Sequence, residues 1–131
     1  MDLLGDRRRS VARLLRRRQD DPGRGCVAPW ELGLEDFPAR GVMLQFSSPG
    51  SAQCRISLNR LAAATAPYRG QALVVELLVD HQSRVAERMG VRMAPTVLHV
   101  DRRGAVVRRW TRTPDRHELE QALAASAVGA A

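Results

Sequence analysis

Lysine is absent from this 131-residue chain: all 21 basic residues are arginine. A GC-rich coding sequence replaces Lys by Arg in this way and enriches Ala and Gly, so the bias by itself does not demand guanidinium chemistry. Aromatic residues are scarce, at 4%. A core must therefore be built from Leu, Val, Ala and Met. Arginine pairs without interleaved aromatics also disfavour a dedicated single-strand nucleic-acid binder, which stacks bases on aromatic rings. Cysteine occurs only twice, at Cys26 and Cys54. Two cysteines make neither a disulfide framework nor a four-ligand zinc site. The histidines His81, His99 and His117 lack a metal-ligand spacing such as His-x-x-x-His, and read as surface or internally satisfied residues. No metal and no cofactor is expected. No run approaches the roughly 18 apolar residues of a membrane span, and no apolar stretch follows the first arginines as it would in a secretory signal. The expectation is a cytoplasmic protein with reduced thiols and no integral membrane segment.

What is present fits one globular domain with an extension. Hydrophobic residues make up 44% and charged residues 27%, close to globular averages. A length of 131 residues leaves no room for two full domains. The net charge of +7 is uneven. Eight Arg face four Asp in residues 1–24, residues 25–39 hold three acids and no base, and the remainder is basic again. Over residues 1–19, Leu4, Val11, Leu14 and Leu15 share a helical face and arginines crowd the others. Such a segment is either a solvated extension or a basic amphipathic helix for an acidic partner or an anionic surface. Asp20-Asp21-Pro22-Gly23 breaks the pattern. The division is therefore an arginine-rich extension and linker over 1–25 and a folded domain over 26–131.

Within that domain, Val42–Phe46 is a short apolar run that suits a buried strand. Ser47–Ser51 is a turn, with Ser51 as the N-cap of a helix that places Cys54, Leu58, Leu61 and Ala62 on one face and ends near Pro67. Ala72–Val79 reads as a second buried strand, central and parallel to the first. Asp80 caps a short helix with Val85, Ala86 and Met89 inward and Gly90 as its stop. Thr96–Val100 and Ala105–Trp110 form an antiparallel pair around Asp101–Gly104. Pro114 opens a last helix with Leu119, Ala122 and Leu123 inward. Trp30 and Trp110 read as packing residues, and Arg102-Arg103 and Arg108-Arg109 as solvent-facing ones. A βαβ unit followed by a ββα unit gives an α/β fold: a mixed sheet of about four strands with helices on both faces.

This ordered set resembles the thioredoxin family. The resemblance rests on a strand ending at Phe46 followed by Ser51-Ala52-Gln53-Cys54-Arg55 at a helix start. It also rests on Val79-Asp80, on Gly90-Val91-Arg92-Met93-Ala94-Pro95-Thr96, and on the hairpin at Gly104. The match is best over residues 40–124. It implies a thioredoxin-like fold, a cis peptide bond before Pro95, and a substrate surface along Ala94, Pro95 and Thr96 that pairs with extended protein segments. The family's dithiol site lies where this chain has Ser51-x-x-Cys54. There the first thiolate, stabilised at a helix N-terminus, attacks a substrate disulfide, and the second cysteine resolves the mixed disulfide. Here the attacking position is Ser51, whose hydroxyl does not ionise near neutral pH. Gln53 stands where a proline is common and Gly50 where a tryptophan is common. Gln45 and Glu76 occupy the positions of the family's buried acid and its lysine partner. A glycine that opens the groove is replaced within Trp110–Thr113, which either narrows the groove or adds charge to it. The family's amino-terminal strand and helix are short or missing, with Val27–Phe37 the only substitute.

Three functions follow as expectations. The first is a degenerate thioredoxin-family protein that lacks dithiol reductase activity and binds protein partners beside Pro95. The second is a monothiol oxidoreductase that uses Cys54 on protein thiols. The third is an interaction module docked by its basic N-terminal segment. Cys54 itself reads as an inert helix residue, a reactive monothiol, or a disulfide partner of Cys26.

Overall fold

The structure, a computed structural model, describes residues 25–80 and 83–129. The helix read over residues 1–19, the linker after it and His81 lie outside the described residues. Strand β1 (Val42–Ser47) is buried along its whole length. A run apolar on both faces belongs inside a sheet, and the strand order β2-β1-β3-β4 puts it there. β2 (Leu73–Leu78) pairs parallel to β1, with Val42 opposite Leu73 and Ser47 opposite Leu78. β3 (Thr96–Val100) runs antiparallel on the other side of β1, with Phe46 opposite Thr96 and Val42 opposite Val100. β4 (Val106–Trp110) pairs antiparallel to β3.

Period-two alternation along β1 divides the core. Val42, Leu44 and Phe46 face one cluster, which takes in Val85 and Ala86 of helix α2 (Arg84–Arg88) and Val27 and Leu32 from the amino-terminal segment. Met43 faces a second cluster with Leu61 of helix α1 (Ala52–Thr65), Leu119 and Leu123 of helix α3 (Arg116–Gly129), and Trp110. Helices thus cover both faces, as the element order implied. Leu61 and Leu119 are fully buried, and burial of each side chain contributes about 1.5–3 kcal/mol.

Several expectations need correction. β2 is not central: it is an edge strand whose residues are half-buried or exposed. Val27–Phe37 adds no strand beside β2 among the described residues. Instead Val27 N–H bonds the Gly104 carbonyl, Cys26 bridges Ala105, and Pro29–Leu32 forms a 3-10 turn against the α2 face. Gly104 is required at this join, because its φ is +87° and a side chain would collide with the Val27 carbonyl oxygen. The cap of α2 is Ser83, not Asp80; its hydroxyl accepts from Ala86 N–H. On α1 the inward residues are Cys54, Ser57, Leu61, Ala64 and Thr65, and Ala62 is exposed. Thr65 tolerates burial because its hydroxyl donates to the Leu61 carbonyl. Trp30 is 77% exposed and packs no core. Arg109 does not face solvent freely: its guanidinium donates to the carbonyls of Met89 and Gly90, tying β4 to the end of α2.

Candidate functional site

The antiparallel pairing of β1 with β3 brings the carboxyl end of one strand beside the amino end of the other. Phe46 sits opposite Thr96, so the turn leaving β1 and the loop entering β3 lie at one end of the sheet. That turn is closed by Ser51 N–H to the Ser48 carbonyl at 3.3 Å and uses a positive φ of 72° at Gly50. Ser51 then caps α1, and its Oγ accepts from Cys54 N–H at 3.1 Å. In the incoming loop the Ala94–Pro95 peptide bond is cis. Thr96 is buried, and its hydroxyl donates to the Met93 carbonyl at 2.6 Å. Met93 itself is 55% exposed at the mouth of this loop. Val97 faces Trp110, so the Thr111–Thr113 segment after β4 belongs to the same end.

The chemistry available here is limited by burial. Cys54 is 2% exposed, in the first turn of α1. Below it lies Gln45, fully buried, whose amide Nε2 donates to the Cys54 carbonyl and to Ser47 Oγ, each at 2.9 Å. Its Oε1 has no hydrogen-bond partner among the described residues. A carboxamide neither accepts nor releases a proton near neutral pH, so Gln45 holds the Cys54 carbonyl and moves no proton. Glu76 is level with Gln45 in the β1–β2 register, but it is exposed on the edge strand. Cys26 is exposed and Cys54 is buried. Cys26 bridges the β3–β4 hairpin, at the far end of the sheet from Cys54, so the pairing of the two is set aside.

Arg112, in the segment after β4, is folded back onto Glu118 in a two-pronged pair of 2.8 and 3.0 Å. Glu118 further accepts from Trp110 Nε1 and from Asp115 N–H. The Arg112 hydrogen bond comes first among the causes that lower the Glu118 carboxyl to about 2. Arg112 therefore brings bulk to this end with its charge already compensated. Among the described residues no group of His, Cys, Asp and Glu could hold a metal, and no helix is long and apolar enough to cross a membrane.

No family model and no curated protein sequence matches the chain. Solved structures do. Thioredoxin-2 of the malaria parasite, a component of its protein secretion machinery, superposes with a TM-score of 0.56 at 13% identity, covering 64% of this chain and 81% of that one. Chloroplastic thioredoxin z superposes with a TM-score of 0.59 at 14% identity, covering 75% of this chain and 85% of the other. The fold is that of the thioredoxin family. A putative thiol:disulfide interchange protein DsbE from Chlorobium tepidum gives a TM-score of 0.57 at 20% identity over 66% of this chain and 79% of its own. These likenesses establish the thioredoxin fold, and the reading of the site rests on this chain's own residues.

The sequence reading missed one feature. His99, in the middle of β3, is 1% exposed. Its Nε2 lies 2.9 Å from the Arg40 carbonyl and 3.2 Å from Ser126 Oγ, while Nδ1 has no partner among the described residues. Burial pushes its pKa below the ordinary histidine value, against the opposing hydrogen bond to Arg40. The signal was a single polar residue inside the run Val97-Leu98-His99-Val100.

Proposed function

We propose that this thioredoxin-fold protein does not cycle electrons as a dithiol reductase and instead binds extended segments of protein partners beside Pro95. The observation that carries the reading is the pair Ser51 and Cys54. The hydroxyl at the helix N-cap is committed to Cys54 N–H, and the one thiol nearby is buried beneath it. A dithiol cycle needs an exposed first thiolate to attack and a second thiol to resolve, and a serine hydroxyl supplies no attacking thiolate. Gln45 in place of an acid agrees with this, because it offers no base to a resolving thiol. Binding needs less than catalysis. The loop Met93–Thr96 presents backbone next to an exposed methionine side chain, which suits strand-like pairing with an extended segment. We place the protein in the cytoplasm, where both cysteines stay reduced.

The test combines two measurements on the full chain. Insulin reduction with dithiothreitol should proceed no faster with the protein than without it. A library of extended peptides should yield binders whose affinity falls at least about tenfold in Ala94→Arg, which crowds the loop. Insulin reduction by the wild-type chain, lost in Cys54→Ser, would overturn the reading in favour of a monothiol enzyme. Peptide binding unchanged by Ala94→Arg would remove this loop as the contact.

A further inference from the structure

A cavity of about 450 Å³ opens at the other end of the sheet, between the carboxyl half of α3 and the β3–β4 hairpin. That volume is in the range of small-molecule sites, roughly 300–1,000 Å³. Its walls are aliphatic where Ala39, Val107, Ala122 and Ala125 line it. Its rim carries Arg102 and Arg103, both exposed. Neither guanidinium has a hydrogen-bond or ion-pair partner among the described residues, whereas the other charged groups at the cavity are already engaged. Arg108 lies 3.8 Å from Glu118 and stacks on the Trp110 ring. Asp101 spends Oδ1 on the backbone N–H groups of Arg103 and Ala105, which fixes the turn that presents the two arginines. His99 forms part of the lining and has a buried, unpartnered Nδ1. Its Nε2 is held by Arg40 and Ser126, and Ser126 Oγ donates onward to the Ala122 carbonyl.

We propose that this cavity binds a small amphiphilic anion: a carboxylate or similar single-headed acid with an apolar body. The aliphatic wall takes the body, and the paired guanidinium groups take the head through charge-assisted hydrogen bonds. The hairpin turn fixes the backbone from which Arg102 and Arg103 project, and binding orders their side chains at a cost of about 0.5–1.5 kcal/mol each. A dianionic ligand fits less well, because the Asp101 carboxylate also stands at the cavity and repels additional negative charge. The site lies at the end of β1 and β3 opposite Ser51 and Pro95, so it is independent of the partner-binding reading.

The experiment titrates 4-phenylbutyrate into the isotopically labelled full chain and follows backbone amide and His99 ring resonances. The expected result is saturable one-to-one binding that shifts Val107, Ala125 and the His99 ring. The neutral analogue 4-phenylbutan-1-ol should bind at least about tenfold more weakly. Arg102→Ala with Arg103→Ala should weaken phenylbutyrate by a similar factor, and Ala125→Trp should abolish the shifts by filling the cavity. Native-like spectra of these variants establish that they fold. Absence of saturable shifts at the cavity overturns the proposal. So does equal binding of the alcohol, equal binding of inorganic phosphate, or binding that survives Ala125→Trp.

Discussion

If one missing thiol is what silences exchange chemistry, Ser51→Cys should restore it. The substitution takes away an N-cap oxygen that accepts from Cys54 N–H at 3.1 Å. Loss of such a cap costs about 1 kcal/mol, which lowers Tm by about 4–8 °C in a domain of roughly 100 residues. The gain is chemical. A thiol at a helix N-terminus is shifted from about 8.5 toward about 7, so its thiolate fraction at pH 7 rises from about 3% to about half. Nucleophilicity falls as the thiol becomes more acidic, with a Brønsted slope of about 0.4–0.5, which removes about fivefold of that roughly fifteenfold gain. The net advantage over an unperturbed surface thiol is about threefold. The larger change is that Cys54 acquires a partner one turn away, able to exchange with it. The assays are insulin reduction, alkylation rate against pH, and intact mass with and without reductant. A folded Ser51→Cys protein should reduce insulin, and its new thiol should titrate below about 7.5. A folded variant that stays inert would refute the reasoning. The block would then lie in Gln45 beneath the helix or in Arg112 at the groove, and the lost thiol would be a consequence of it.

Two further predictions need no new chemistry. Cys26 is exposed and Cys54 is 2% exposed, so native iodoacetamide labelling should modify Cys26 at least about a hundredfold faster, with Cys54 reached only in denaturant. Rapid native labelling of Cys54 would sink the inert-thiol reading. The second prediction concerns stability against pH. The folded pKa of His99 lies below its unfolded value. Its contribution is complete above about pH 6.5 and is lost as pH falls from there toward the folded value, because the unfolded chain binds the proton first. Glu118 is lowered to about 2 from 4.5, so its contribution is present above pH 4.5 and disappears between there and about pH 2. Tm should therefore decline in two stages, His99→Gln flattening the upper one and Glu118→Gln the lower. A Tm that is level from pH 7 to pH 5 would contradict the buried neutral histidine.

The parts of the fold that could be read from sequence are those fixed by neighbours in the chain. The first strand, the turn through Gly50 and the Ser51 cap each depend on a few adjacent residues; the strand read as Val42–Phe46 extends one residue further to Ser47, and the turn and cap lie where the sequence placed them. β2 was misplaced because its run Leu-Val-Val-Glu-Leu-Leu is apolar at both parities. Whether such a strand is central or at an edge depends on what pairs beside it, and no local pattern carries that. The face of α1 was misjudged at Ser57 and Thr65, which are polar yet buried. A threonine that bonds back to its own helix satisfies itself, so polarity did not exclude it from the interior. The capping box of α3 was legible and overlooked: Asp115 accepts from Glu118 N–H, and Glu118 accepts from Asp115 N–H.

The two ends of the sheet differ in legibility for the same reason. The Ser51 end is made by segments that carry recognisable turns, so each announces itself. The cavity at the hairpin end draws on Ala39, Arg102, Arg103 and Ala125, which lie far apart in sequence and are unremarkable singly. β1 separates the two ends by six residues, or roughly 16–20 Å at 3.2–3.4 Å per residue. Ser51 and the cavity residues share no hydrogen-bond partner among the described residues, and sites that far apart behave additively to within about 0.5 kcal/mol. The stability cost of Ser51→Cys should therefore be the same in the presence and absence of phenylbutyrate. Phenylbutyrate affinity should likewise be the same in Ser51→Cys as in the wild-type chain. Coupling beyond that limit would mean that β1 and β3 pass a displacement along their length, with Gln45 and His99, buried side chains of these strands that each keep a polar atom without a partner among the described residues, as its carriers.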